Sequence, residues 1–210
     1  MIFVMSNNNS ELVQRLIEEE YLKTERIIGA FLNVDRKDFV PEKHKSESYG
    51  DYPLPIGWGQ TISQPATVAF MLELLQPQAG DKVMDAGSGS GWQTVILTSI
   101  VGEKGSVYAV ERIPELYEFG QKNLQKYKFQ NISFSCGDAT KGLVEQAPFD
   151  KIIAAASGSE IPPAWLEQLK ISGRIVAPIG SSIWLYIKKS ETEFEKLEYP
   201  GFAFVPLVKK

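Results

Sequence analysis

From about residue 82 onward, short apolar runs alternate with amphipathic stretches. Residues 82–86, 106–110, 132–136, 150–156 and 174–179 are too apolar for a half-exposed sheet, and they predict buried strands. Residues 93–100, 114–126 and 162–169 predict the helices between most of them. This rhythm predicts an α/β fold with a mostly parallel sheet covered on both faces. Only Gly180-Ser181-Ser182 separates the fifth strand from residues 183–188, too little chain for a parallel crossover. The sheet should therefore end in antiparallel strands, the last one within residues 202–208.

The first third of the chain follows a different pattern. Val13, Leu16, Ile17, Ile27, Ile28 and Phe31 recur at helical spacing and predict one long helix or two short ones over residues 11–32, with Ser10 as the cap. Residues 1–9 are expected to form a flexible terminus. No period survives between residues 38 and 60, where Pro41, Gly50, Pro53, Pro55, Gly57 and Gly59 punctuate the chain. The aromatic and apolar residues of this loop favour packing over disorder. A helix should begin near Ser63 to Pro65, because Val68, Met71, Leu72 and Leu75 share one face, and Pro77 should end it. No linker divides the chain. The expectation is one domain over residues 10–210, with N-terminal helical and loop elements at 10–78 and an α/β core with C-terminal strands at 79–210.

Composition narrows the function. The 210 residues hold 26 acids and 22 bases, a net charge of −4, which argues against a general nucleic-acid surface. No apolar run approaches the ~18–20 residues that span a bilayer, so no membrane partner is expected. Cys136 is the single cysteine, which suits a reducing, cytoplasmic setting, and it is expected to pack as a small core residue at a strand end. The start Met1-Ile-Phe-Val-Met5 lacks the long apolar region of a secretory signal. His44, the only histidine, has no partners at metal-ligand spacing and is expected on the surface, so no metal site is predicted.

The chemistry concentrates at the strand ends. Asp85-Ala86-Gly87-Ser88-Gly89-Ser90-Gly91-Trp92 puts a glycine turn between the first core strand and its helix, where ligands of open α/β sheets bind. The spacing is G-x-G-x-G, not the G-x-G-x-x-G of dinucleotide folds, and Asp85 just upstream would repel a phosphate but attract an ammonium or sulfonium. Glu111 ends the second strand, where an acid accepts hydrogen bonds from ribose hydroxyls. Asp138 follows the third strand, beside the expected place of an adenine edge. A nucleoside site with a cationic tail is what S-adenosyl-L-methionine requires.

Upstream lie Asp38-Phe39-Val40-Pro41 and Gly59-Gln60-Thr61-Ile62-Ser63-Gln64-Pro65. Together with residues 85–93, Gly137-Asp138, Ala147-Pro148-Phe149-Asp150, Glu160-Ile161-Pro162-Pro163 and Phe204-Val205-Pro206-Leu207, these segments closely resemble the protein-L-isoaspartate (D-aspartate) O-methyltransferase family, over about residues 38–208. The resemblance implies a Rossmann-like methyltransferase fold with extra N-terminal elements, and a cofactor-binding set of Asp85, Gly87, Ser88, Gly89, Gly91, Glu111, Arg112, Asp138 and Ala139. It also implies Ser63 as the catalytic residue, with Thr61 and Ile62 against the substrate. The alternative for Ser63 is that it only caps the following helix. Ala139 stands where the family pattern carries a glycine, and residues 155–158 depart from it near the active cleft.

By the same resemblance the partners are isoaspartyl peptides and proteins, the protein acts as a monomer, and the reaction moves a methyl group to a free α-carboxylate in protein repair. Such a carboxylate has a pKa of about 3.3–3.7 and arrives ionised, so no general base is required. Two alternatives remain: a methyltransferase of the same fold with another acceptor, and a non-catalytic module that binds S-adenosylmethionine.

Overall fold

The computed structural model describes residues 6–207; the apolar start at residues 1–5 and Val208 of the expected last strand lie outside them. The chain begins with two helices, α1 (Asn9–Glu18) and α2 (Glu25–Asn33). The break between them includes Glu20 in the left-handed region at φ 61°. The cap of α1 is Asn8 rather than Ser10: its side chain accepts the Glu11 N–H at 2.9 Å. Residues 8 and 9 are thus held in place, since Asn9 also donates from Nδ2 to the Phe31 carbonyl at 2.7 Å. The flexible segment expected over residues 1–9 does not extend to them.

The aperiodic stretch folds into two 3₁₀ turns, Arg36–Phe39 and Glu42–Glu47, and then an antiparallel hairpin of β1 (Leu54–Gly57) and β2 (Gln60–Ile62). Gly57, Trp58 and Gly59 all take positive φ to close it. Next comes α3 (Pro65–Leu75), with Pro65 in its first turn.

The remaining elements are β3 (Lys82–Ala86), α4 (Trp92–Val101), β4 (Ser106–Glu111), α5 (Pro114–Leu124), β5 (Ile132–Cys136), β6 (Phe149–Ala154), α6 (Pro163–Glu167), β7 (Leu169–Ile179), β8 (Ser182–Lys188) and β9 (Phe194–Pro200). Strands β3 to β9 form one seven-stranded sheet in the order β5-β4-β3-β6-β7-β8-β9. The first five are parallel, while β7–β8 and β8–β9 are antiparallel. The predicted α/β class and antiparallel ending hold.

The last strand lies elsewhere than expected. Strand β9 carries Glu195, Lys196 and Glu198 among its apolar residues, so it shows no buried-strand pattern, and such charges suit a sheet edge. Residues 202–207 form a tail with one isolated bridge, Ser157 to Pro206. Pro206 has no N–H to offer a ladder. The tail lies along the 155–158 loop, where Ser157 N donates to the Val205 carbonyl at 2.8 Å and Leu207 N to the Ser157 carbonyl at 2.7 Å.

Candidate active site

The sheet order makes β3 the switch point: its crossovers lead to β4 on one side, and β6 flanks it on the other. The carboxyl ends of β3, β4, β5 and β6 therefore converge, which is where open α/β sheets bind ligands. A cavity opens there.

Its floor is the glycine turn. Gly87, Gly89 and Gly91 all have positive φ, which bends the chain so that Gly87 N and Ser88 N both donate to the Val110 carbonyl. Gly91 is further constrained by space, since a Cβ there would lie 2.2 Å from Leu124 Cδ1. Gly120, which the sequence did not single out, plays the matching part on α5: a Cβ there would lie 2.8 Å from the Gly89 carbonyl oxygen. Asn123 on the same helix donates to the Ser90 carbonyl at 3.0 Å. The turn is gripped from α5.

Glu111 ends β4 with only 6% exposure. One carboxylate oxygen accepts Gly89 N and the other Ile113 N, each at 2.8 Å. A carboxylate has about four lone-pair sites, so Glu111 keeps capacity for hydroxyl donors from the cavity. Ser88 and Trp92 line the same cavity, and Ser88 Oγ and Trp92 Nε1 are buried without a partner among the described residues. Unpaired buried polar groups of this kind call for a ligand or water.

Asp138 closes the far side. Thr140 donates to one of its oxygens through both N and Oγ1, at 3.0 and 2.7 Å, which leaves the other oxygen free. Burial pushes this carboxyl up, but the Thr140 bonds together with Lys141 and Arg112 outweigh it and hold the pKa below the usual value. Ala139 begins a 3₁₀ turn without positive φ, so a glycine is not needed there. Arg112 lies exposed at the rim. Glu111 and Asp138 thus face a single exposed cation, and the cavity suits a ligand with positive charge.

Asp85 does not line this cavity. It is completely buried beneath the turn, where Gln93 Nε2 and Thr94 Oγ1 donate to its two oxygens at 2.7 and 2.6 Å. Burial raises its pKa to about 6 against the pull of those bonds. The direct attraction expected from the sequence is replaced by a brace between β3 and α4, because alternation along the strand turns this side chain into the protein.

The TIS segment forms the opposite wall. Thr61, Ile62 and Ser63 line the first cavity, and Thr61 and Ser63 also line a second trough. Ala155 and Val205 belong to both, so the two spaces meet beside Ser63. Ser63 does not cap α3. That task falls to Asp51, which accepts Ala66 N at 2.8 Å and Gln64 Nε2 at 3.0 Å. The Ser63 carbonyl is held by Arg36 Nη2 at 3.0 Å, while its hydroxyl makes no hydrogen bond among the described residues. The trough is lined by Tyr21, Phe70, Phe202 and Phe204 among others, and among the described residues no charged side chain lines it.

Two minor expectations change. Cys136 is exposed rather than packed in the core, because β5 is a sheet edge. His44 is partly buried, with Nδ1 at 3.4 Å from Glu47 Oε1, and it belongs to neither cavity. Among the described residues no cluster of His, Cys, Asp and Glu could hold a metal ion.

Comparison with known proteins gives the same family at every level. The family model described as "Protein-L-isoaspartate(D-aspartate) O-methyltransferase (PCMT)" matches residues 7–210. The protein-L-isoaspartate O-methyltransferase of Methanopyrus kandleri is 41% identical over 210 residues, 98% of this chain and 93% of its own length. Protein-L-isoaspartate O-methyltransferase 1 of Archaeoglobus fulgidus is 42% identical over 200 residues, 95% of this chain and 92% of its own. Among solved structures, a Plasmodium falciparum protein described as a protein-L-isoaspartate O-methyltransferase, in complex with S-adenosyl-L-homocysteine, superposes with a TM-score of 0.88 at 25% identity. It covers 98% of this chain and 100% of that one. With sequence, sheet order and cleft in agreement across nearly the whole length, this chain belongs to the protein-L-isoaspartate(D-aspartate) O-methyltransferase family.

Proposed function

We propose that the protein transfers a methyl group from S-adenosyl-L-methionine to the free α-carboxylate of isoaspartyl residues in damaged proteins. The observation that carries this reading is the Ser63 hydroxyl, without a hydrogen bond among the described residues, on a wall shared by two spaces of different chemistry, one holding the carboxylates of Glu111 and Asp138 and the other lined by uncharged side chains of the described residues. The donor side fits the cofactor: Glu111 for ribose hydroxyls, the free oxygen of Asp138 for the adenine edge, and the orphaned Ser88 Oγ as a further polar contact. When bound, the cofactor supplies a methyl carbon activated by a sulfonium.

The chain's own residues then have a limited task. Ser63 Oγ donates to the acceptor carboxylate and fixes the oxygen that receives the methyl. Thr61 and Ile62 shape the wall beside it. The trough accommodates the peptide on either side, and its apolar lining excludes water. No proton has to be removed from an ionised carboxylate, so the gain comes from orientation. The absence of a base beside Ser63 on the cavity wall accords with that. The methyl ester would close to a succinimide after release and hydrolyse in part to normal aspartate.

The proposal extends to the setting. We take the protein to act as a monomer, and the lone cysteine suits the cytoplasm; no helix among the described residues is long and apolar enough to cross a membrane. The net charge of −4 disfavours nucleic acid as a partner. The test is transfer of an isotope-labelled methyl to an isoaspartyl peptide and to its aspartyl twin. Label in the first alone supports the proposal, and equal label in both, or in neither, refutes it.

A further inference from the structure

Arg36 is completely buried, yet it forms no salt bridge among the described residues. Its four hydrogen bonds all go to backbone carbonyls: Nη1 to Ser48 at 2.8 Å and Gly50 at 3.1 Å, Nη2 to Tyr52 and Ser63, both at 3.0 Å. Its Nε has no partner among the described residues. The guanidinium also stacks 5.4 Å from the centroid of Trp92, which opens α4 and lines the donor cavity. One cation thus touches the backbone of the acceptor segment and the ring beside the glycine turn.

Burying a charge without a bonded counter-ion is costly, and carbonyl dipoles recover only part of the loss. Asp51 supports the charge from nearby, but both of its oxygens are committed to the start of α3. Among the described side chains that line the two cavities the one cation is Arg112, exposed on the nucleoside side. On the Ser63 side, positive charge comes from behind the wall.

We infer that Arg36 is the acceptor site's built-in cation, a positioning residue that fixes Ser63 through its carbonyl and whose field selects an anionic acceptor over a neutral one. This rests on the methyl-transfer proposal above. A field of this origin acts on acceptor binding: the carboxylate is attracted, and the neutral ester product is not, which also favours product release. Because the charge lies inside the protein, salt should screen it little. The cofactor's own positive sulfur would attract a carboxylate too, so the test must use its neutral counterpart.

The protein loaded with S-adenosylhomocysteine is titrated with an isoaspartyl peptide and with the same peptide carrying a carboxamide in place of the free α-carboxylate. Wild type should prefer the carboxylate by about ten-fold or more at both ~50 mM and ~500 mM salt. No preference, or one that disappears in the higher salt, would overturn the inference. Arg36→Lys keeps the charge and loses the fork; it should retain most of the preference while turning over more slowly. Arg36→Met should bring the two peptides to nearly equal affinity, and in turnover raise KM for the peptide more than it lowers kcat. A Met variant that binds S-adenosylhomocysteine normally and keeps the preference, or a Lys variant that loses it, would also overturn the inference. If Arg36→Met does not fold, the wild-type and Lys arms still decide. Failure of wild type to methylate the isoaspartyl peptide would instead strike the underlying function.

Discussion

Replacing Glu111 with Gln removes one oxygen of a carboxylate whose two oxygens both accept backbone N–H groups, from Gly89 and Ile113. A carboxamide has one acceptor and one donor end. Whichever way it turns, its NH₂ faces an N–H, and one donor in a buried position loses its partner. Leaving such a donor unsatisfied costs about 1–3 kcal/mol of folding stability. For a chain of this length that corresponds to a fall in Tm of about 2–12 °C, at roughly 2–4 °C per kcal/mol. A second loss appears only in the complex. A hydrogen bond from a ribose hydroxyl to an ionised carboxylate contributes about 1.5–3 kcal/mol. Affinity for the adenosyl ligand should therefore fall by roughly 10- to 150-fold. Calorimetric titration with S-adenosylhomocysteine gives the affinity, and a thermal melt of the unliganded protein gives the stability. If Tm drops while affinity stays within about two-fold of wild type, Glu111 is a brace for the glycine turn and not a ligand to the ribose.

Ser63→Ala should lower turnover on an isoaspartyl peptide by about 10- to 100-fold, the scale of one hydrogen bond to a charged group, with Tm and cofactor affinity unchanged because the hydroxyl makes no bond in the folded chain. Steady-state kinetics beside a melt curve check this, and a drop in Tm would return Ser63 to a structural role. Asp51→Ala should do the reverse to stability, costing about 1–2 kcal/mol in a denaturant melt through loss of the α3 cap. Asp85 has a folded pKa of about 6 against an unfolded value near 3.8, so the native state holds its proton more tightly; its contribution to stability is present below about pH 4 and is lost as pH rises through about 6. Asp85→Asn should accordingly flatten the decline in stability between those pH values, with cofactor affinity within about three-fold of wild type. Unfolding curves at several pH values would contradict this if the wild type did not weaken over that range or the variant weakened equally.

Periodicity located most of the buried strands, since β3, β4 and β6 are apolar runs that a parallel sheet covered by helices demands, whereas β5, read as buried too, is largely exposed at the sheet edge. It failed where burial is one-sided or absent. Strand β9 is charged along both faces and resembles a loop, and the tail was taken for a strand because Phe202, Phe204, Val205 and Leu207 are apolar, although they serve the trough and the bridge to Ser157. The glycine turn, Glu111, Asp138 and Ser63 were legible because each carries its chemistry in its residue type and stands at a strand end or in a recognisable motif. Asp85 was misplaced because charge alone does not say which way a strand residue points.

Arg36 and Gly120 were not found from the sequence at all. An arginine next to Lys37 and Asp38 looks like a surface residue, and only the packing shows it sealed among four carbonyls. A glycine in a helix looks like a weak point until the approach of the Gly89 carbonyl is seen. In both cases the constraint comes from elements far apart in the chain, which no local pattern records.

The account stands or falls on the fate of the acceptor carboxylate. An isoaspartyl peptide incubated with the protein and S-adenosyl-L-methionine, followed by chromatography and mass spectrometry, should first gain the mass of one methylene as an ester. It should then lose methanol to a succinimide and yield a growing fraction of the normal aspartyl peptide, while the carboxamide analogue stays unchanged. An isoaspartyl peptide that never acquires the methyl, although the protein binds the cofactor, would contradict it.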